Sequence, residues 1–150
     1  MFATAAIAKD TIVWRHIPEQ LTVYDEPRFQ SALAGMSRAQ AIYELNHCFG
    51  LADWPHLVIR VRDAGALINH DADPNLITRM HLLGPPPAGT GAHNTVAEVS
   101  AALLGDRYAL IATRDIAAGE ELTNDYTAEV SDPPFFDALY KRYGIEDEYL

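Results

Sequence analysis

Short apolar runs, interrupted by glycine, proline, asparagine and aspartate, constrain the fold of this chain more than any other feature of its sequence. β-branched and aromatic residues dominate residues 11–14 and 57–62, and we predict a strand in each. A further strand is expected over residues 75–80, after Pro74. No apolar run approaches the roughly 18 residues that a membrane-spanning helix needs. The chain is therefore expected to fold from many short elements, without a membrane partner.

Helical spacing of apolar residues occurs in three places. Residues 27–34 and 37–49 are predicted to be helices, the second capped by Ser37 and closed by Gly50. A final helix should begin at Pro133, end at Gly144 and carry an apolar stripe. The stripe consists of Phe135, Phe136, Leu139, Tyr140 and Tyr143.

Two more segments predict a hairpin. Residues 95–104 and 107–113 are interpreted as facing strands, because the two residues between them, Gly105-Asp106, have the length and chemistry of a tight turn. The proline- and glycine-rich residues 84–91 are predicted to form a surface loop.

The predicted fold class is therefore β-rich (α+β), in one domain over residues 1–150. Its parts are N-terminal strands in 1–24, a helical insert in 26–50, a core in 57–126 and the C-terminal helix in 133–144.

Residues 2–11 and 111–120 resemble each other weakly. Each has an apolar run, a pair of turn residues and a second apolar run, with the turns at Lys9-Asp10 and Ala118-Gly119. We expect these corners, near the two ends of the chain, to pack as similar layers.

The charge of the chain limits the classes of molecule that it is expected to bind. The net charge is −10, and residues 106–150 hold eleven Asp and Glu against four Lys and Arg. Such a surface repels nucleic acid and membrane phosphates and attracts basic proteins, although it also serves solubility alone. The one cysteine, Cys48, excludes an internal disulfide and suits a reducing, cytoplasmic location. We expect Cys48 to be buried packing rather than a nucleophile.

Two polar segments carry the functional argument. Residues 65–75 pass from an apolar stretch into Asn69-His70 and leave through Pro74-Asn75, which by itself describes a well-made loop. Residues 114–126 contain Gly119-Glu120-Glu121-Leu122-Thr123 and Asp125-Tyr126, which by itself describes a solvated turn and an edge strand.

Together these segments resemble the two hallmark motifs of SET-domain protein-lysine methyltransferases. The first is similar to the family's Asn-His-Ser-x-x-Pro-Asn, with Asp71 in place of serine, and the second to its Gly-Glu-Glu-Leu-x-x-Asp-Tyr. They occur in the family's order and spacing, and residues 2–14 resemble the family's first strand pair. The resemblance implies a β-clip fold of small curved sheets, with the second motif threaded beside the first as a pseudoknot. Tyr126 would then lie next to Asn69 and His70.

The resemblance also implies chemistry. Similar proteins transfer a methyl group from S-adenosylmethionine to a lysine ε-amine, and Tyr126 would be the catalytic residue that orients the amine. Asn69, His70 and Tyr126 would bind the cofactor, and Phe136 would stack on adenine as the C-terminal helix closes the channel. Packing of Phe136 in the core is the alternative. Asn75 is expected to be structural.

Other readings stay open. The family usually has Gly-x-Gly just before the first strand, and this chain begins at Met1-Phe2, after the place where that motif is expected. Many relatives also carry a cysteine-rich zinc-binding segment after the domain. This chain is expected to be the small type without that segment. A degenerate SET domain acting as a binding or scaffold module is the alternative to an enzyme, and methylation of a small amine is a third option. No metal is expected, because the histidines show no ligand spacing. Glu120 and Glu121 are not expected to act as a pair, because adjacent strand residues face opposite ways.

Overall fold

The computed structural model describes residues 1–83, 94–128 and 130–145. In chain order the strands are β1 (Ile12–Trp14), β2 (Leu21–Asp25), β3 (Cys48–Phe49), β4 (Leu57–Val61), β5 (Asn69–His70), β6 (Leu76–Thr78), β7 (Leu110–Ala112) and β8 (Thr123–Asn124). The helices are α1 (Glu26–Ala34), α2 (Arg38–Leu45), α3 (Met80–Leu83), α4 (Val96–Leu103) and α5 (Phe136–Tyr143). The predicted loop at residues 84–91 lies outside the described residues.

The strands form small separate sheets, which confirms the predicted β-rich α+β class. One sheet has the antiparallel order β1-β7-β6, and a second has the antiparallel order β2-β4-β3. The third is the parallel pair β5-β8, which joins the two motif segments. No described helix is long and apolar enough to cross a membrane.

Three apolar clusters hold these sheets together. The first surrounds Trp54 and Ile59, and the second packs α1 and α2 against α5 around Phe29 and Phe136. The third cluster includes Leu76 and contains Ile68, Ile116 and Leu122 from the two motif segments. The motif segments therefore stand on a packed base that the rest of the fold supports.

For the second helix of the insert, the predicted cap at Ser37 is confirmed and the predicted end at Gly50 is wrong. Ser37 caps α2 through a reciprocal capping box with Gln40. The helix stops at Leu45, however, because Cys48–Phe49 forms strand β3 beside β4 instead of a last helical turn. Gly50 does not close the helix. A Cβ there would lie 2.3 Å from the Ser131 carbonyl oxygen, so glycine permits the C-terminal segment to approach.

The predicted hairpin at residues 95–113 is wrong in its first half. Residues 96–103 form helix α4, whose start is capped by Thr95 and Glu98. Val99 and Leu103 are both buried, and their spacing of four places them on one helical face. Gly105-Asp106 leads into a short 3₁₀ helix, Asp106–Tyr108, rather than a tight turn. Strand β7 lies within the predicted second strand.

The remaining predicted elements are confirmed in type. Helix α5 ends at Gly144, which has the left-handed φ of 63° typical of a glycine cap, although the helix begins at Phe136 rather than Pro133. The strands predicted at 11–14, 57–62 and 75–80 correspond to β1, β4 and β6.

The two similar corners pack directly on each other. The chain after Phe2 and the chain after Ile111 pair antiparallel, with mutual backbone hydrogen bonds of 2.9 Å between Ile7 and Ile116. Asp10 and Gly119 occupy matching turn positions and both have positive φ, of 66° and 82°. The weak sequence echo thus predicted a real likeness of backbone conformation.

Candidate functional site

The parallel pair β5-β8 brings the two motifs together. Asn69 is opposite Thr123 and His70 is opposite Asn124. On its other side the second motif pairs with the N-terminal segment, through a bridge between Phe2 and Glu121. The second motif therefore runs between the first motif and the start of the chain, hydrogen-bonded to both.

Beneath this pairing lie the buried polar side chains of Asn75 and Thr123 and the half-buried Glu120, a set that we name the inner junction. Asn75 is only 2% exposed. Its Oδ1 accepts from the Thr123 amide at 3.0 Å, and its Nδ2 donates to the Glu121 carbonyl oxygen at 2.7 Å. The side chain thus satisfies backbone groups of the second motif that burial would otherwise leave without partners. Asn75 is structural, as predicted.

Glu120 completes the inner junction from the other side. Its carboxylate pairs with Arg114 at 2.5 Å and accepts from the Ala117 amide at 2.9 Å and from Asn75 Nδ2 at 3.2 Å. These hydrogen bonds, that from Arg114 first, lower the pKa of Glu120 to about 2. Glu120 therefore stays ionised and holds the corner before β8.

Above the junction lies an exposed set of side chains, Asn69, His70, Glu121 and Tyr126, which we name the outer rim. The Tyr126 hydroxyl donates to the Ile68 carbonyl oxygen, and the Tyr126 amide donates to His70 Nδ1 at 3.1 Å. The two rings lie 5.7 Å apart, and Tyr126 is 40% exposed. The predicted convergence of Tyr126 with Asn69 and His70 is therefore present in the structure.

The rim has a defined pattern of hydrogens and charge. Since His70 Nδ1 accepts the Tyr126 amide hydrogen, a neutral His70 ring carries its own hydrogen on Nε2. The Asp125 carboxylate lies 3.7 Å from Nδ1, and hydrogen bonding from Thr127 lowers the Asp125 pKa. Burial raises the pKa of the Tyr126 phenol, so this group remains protonated at neutral pH.

The adjacent glutamates face opposite ways, as predicted. Glu120 points into the inner junction, whereas Glu121 Oε1 accepts from Asn69 Nδ2 at 2.7 Å on the rim. They do not form a carboxylate pair. Glu121 was not among the predicted site residues, although strand alternation put it on the side opposite Glu120.

Phe136 is not at the rim. It is completely buried, stacked on Phe29 with ring centroids 5.5 Å apart, and belongs to the cluster between α5 and the helical insert. Its ring has no face free for adenine in this structure, so the placement matches the core-packing alternative. The reason is that α5 turns its apolar stripe toward α1 and α2.

Two other candidate chemistries find no support in the site. Burial raises the pKa of the Cys48 thiol to about 12, which fits packing and not nucleophilic reactivity. Within residues 1–83, 94–128 and 130–145, no three His, Cys, Asp or Glu side chains are grouped to hold a metal ion.

Comparison with known proteins agrees with this geometry. The family model of the SET domain matches residues 1–127, which include both motifs and every residue of the inner junction and the outer rim. No curated protein matches the chain. The match covers most of the 150 residues and includes both paired motifs. The chain belongs to the SET-domain family.

Proposed function

We propose that this chain transfers a methyl group from S-adenosylmethionine to a lysine ε-amine of a protein substrate. The proposal rests chiefly on one observation, the position of the Tyr126 phenol beside Asn69 and His70 at the outer rim. Membership of a family that is generally made of protein-lysine methyltransferases supports it.

The rim residues fit the proposed cofactor. The Asn69 carboxamide offers both a donor and an acceptor, which suits the polar adenosine and amino-acid parts. The Tyr126 ring offers a face that attracts a cationic centre. S-adenosylmethionine, when bound, supplies an electrophilic methyl group on a sulfonium.

Tyr126 is suited to orient an amine rather than to remove its proton. Its hydrogen is already donated to the Ile68 carbonyl oxygen, so the phenol oxygen keeps lone pairs that can accept an N–H from the incoming amine. A phenol with a raised pKa is a poor general base near neutral pH. The lysine is therefore proposed to lose its proton to water, and positioning supplies most of the catalysis.

A basic protein or peptide is the proposed substrate. Residues 106–150 carry eleven acidic against four basic side chains, and this segment includes the second motif. Such a charge distribution favours encounter with a cationic partner. The proposed location is the cytoplasm, because the single cysteine is buried and unpaired.

The test is radiolabelled methyl transfer from S-adenosylmethionine to a cell lysate and to matched basic and acidic peptides. Tyr126→Phe should lower the rate by at least about tenfold, the effect of losing one oriented contact in the transition state. Tyr43→Phe is the matched control, because Tyr43 is an exposed tyrosine on α2 whose ring contacts His47 and Arg60, neither of which belongs to the rim. An unchanged rate for Tyr126→Phe would contradict the catalytic assignment, and equal rates for the two peptide sets would remove the basic substrate.

Calorimetry separates the enzyme from its alternative. If the wild-type protein releases no heat of binding with S-adenosylmethionine and methylates nothing in the lysate, a SET domain that serves only as a binding or scaffold module becomes the better description.

A further inference from the structure

The orientation of Asn69 is set by one neighbouring side chain. Asn69 Nδ2 donates to Glu121 Oε1 at 2.7 Å. A carboxylate can only accept hydrogen bonds, so the side of the carboxamide that faces it must be the nitrogen. The Met1 nitrogen lies 3.9 Å from the same Oε1, which is too far for a hydrogen bond. It therefore does not compete with Asn69 Nδ2 for this oxygen.

The backbone that carries Glu121 is anchored independently of its side chain. The Glu121 carbonyl oxygen accepts from the buried Asn75 side chain at 2.7 Å, and its residue bridges to Phe2. The following β8 residue, Thr123, pairs with Asn69 itself. The carboxylate is thus held at a fixed place relative to the Asn69 backbone, and it is 39% exposed.

The orientation of Asn69 Nδ2 also determines the direction of Asn69 Oδ1. When Nδ2 faces Glu121, Asn69 Oδ1 must point away from it and is presented as an acceptor. An amide oxygen beside a carboxylate is suited to a primary ammonium group, which brings only donors and a positive charge. S-adenosylmethionine carries one such group, the α-ammonium of its amino-acid half.

We propose that Glu121 is a positioning residue that holds the Asn69 carboxamide with its oxygen outward, so that the site selects the α-ammonium of the cofactor. This inference rests on the proposed function, because it assumes that the outer rim binds S-adenosylmethionine. It assigns a role to a side chain that lies on the rim and does not itself react.

Glu121→Gln is the discriminating variant. The glutamine keeps the size of the side chain but can either accept from Asn69 Nδ2 or donate to Oδ1, so both carboxamide orientations become available. The Kd for S-adenosylmethionine should rise roughly tenfold, the loss typical of one charge-assisted hydrogen bond. The Kd for 5′-methylthioadenosine, which lacks the amino-acid half, should not change. Glu19→Gln, an equal change of charge at an exposed residue outside the site, should leave both Kd values unchanged.

Calorimetry with both nucleosides is combined with the NMR signal of the Asn69 side-chain amide in the ligand-free protein. Glu121→Gln should move that signal, and Glu19→Gln should not. Equal weakening of both nucleosides would show a merely structural role and overturn the inference. Unchanged S-adenosylmethionine binding in Glu121→Gln would overturn it while leaving the proposed function intact. A wild-type protein that binds neither nucleoside would overturn the proposed function and the ammonium selection with it. An Asn69 signal unaffected by Glu121→Gln would overturn the positioning role whatever the ligand does.

Discussion

The inner junction and the outer rim are made by the same two segments, and they differ in what their polar groups do. Asn75 is 2% exposed, and its Oδ1 and Nδ2 both form hydrogen bonds with backbone groups of the second motif. Asn69, from the same motif, is exposed and makes its hydrogen bond to another exposed side chain. Buried polar groups must be satisfied within the fold, whereas exposed ones can be left for a ligand. The junction should therefore govern stability and the rim should govern binding.

The largest expected effect comes from removing the junction asparagine. Asn75→Ala leaves the Thr123 amide and the Glu121 carbonyl oxygen buried without partners, and should lower the free energy of unfolding by about 3 kcal/mol. Urea denaturation measures this loss. Asn69→Ala is the matched control and should change the same quantity by less than about 0.5 kcal/mol, because its side chain is exposed. Equal losses for the two variants would break the distinction between junction and rim.

A smaller loss is expected at the corner that leads into the junction. Gly119 has φ of 82°, and a Cβ built there meets nothing within 4 Å, so Gly119→Ala adds backbone strain without a clash. The expected cost is about 1 kcal/mol. Gly35→Ala, at a glycine with negative φ and an ordinary Cβ contact of 3.6 Å, should cost nothing measurable. A Gly119→Ala protein as stable as wild type would show that the corner adapts.

The carboxylate of Glu120 should contribute to stability in acid. The pKa of Glu120 is lowered from 4.5 to about 2 in the fold, so its contribution is complete above pH 4.5 and is lost as the pH falls toward 2. Glu120→Gln should flatten the pH dependence of unfolding in that window.

His16 also affects stability in acid, and its effect must be separated from that of Glu120. Burial lowers the pKa of His16 from 6.5 to about 4, so the unfolded chain binds its proton first and stability falls as the pH drops from 6.5 to 4. This contribution of His16 is common to wild type and Glu120→Gln, and it cancels when their unfolding free energies are compared at each pH. Identical acid profiles for wild type and Glu120→Gln would contradict the role of Glu120 in the inner junction.

The smallest effect on stability is expected at Tyr126. Its hydroxyl bonds a carbonyl oxygen at a partly exposed position, so Tyr126→Phe should lower the free energy of unfolding by about 0.5 kcal/mol. Thermal unfolding followed by circular dichroism measures this change, beside the methyl-transfer rate of the same sample. A large loss of stability would show that Tyr126 is a structural residue, like those of the inner junction, and would contradict its place on the outer rim.

Local patterns predicted elements where the local signal agreed with the packing. Ser37 and Gly144 mark real helix ends, and the strands at β1, β4 and β6 follow their β-branched runs. The prediction failed at residues 95–104, where the following Gly105-Asp106 pair favoured a hairpin. The spacing of Val99 and Leu103 and the Thr95 cap belong to a helix, which burial of both side chains stabilises.

The sequence predicted which residues form the site more completely than it predicted how those residues are arranged. Asn69, His70 and Tyr126 lie together as the motifs indicated, but Phe136 went into the core because α5 packs on the helical insert. Glu121 was missed as a site residue. Strand alternation separated it from Glu120, yet its contact with Asn69 depends on a pairing that no local pattern reports.

By itself the sequence determined the motif residues, the helix ends at Ser37 and Gly144, the two turn pairs and the opposite facing of Glu120 and Glu121, because each depends on covalent neighbours. Only the tertiary structure decided which asparagine is buried, where Phe136 packs and that Tyr126 reaches Ile68. Those outcomes depend on the parallel pairing of β5 with β8, between segments separated by most of the core. The free energy of such contacts comes from packing and hydrogen bonding across the fold, which local propensity does not contain.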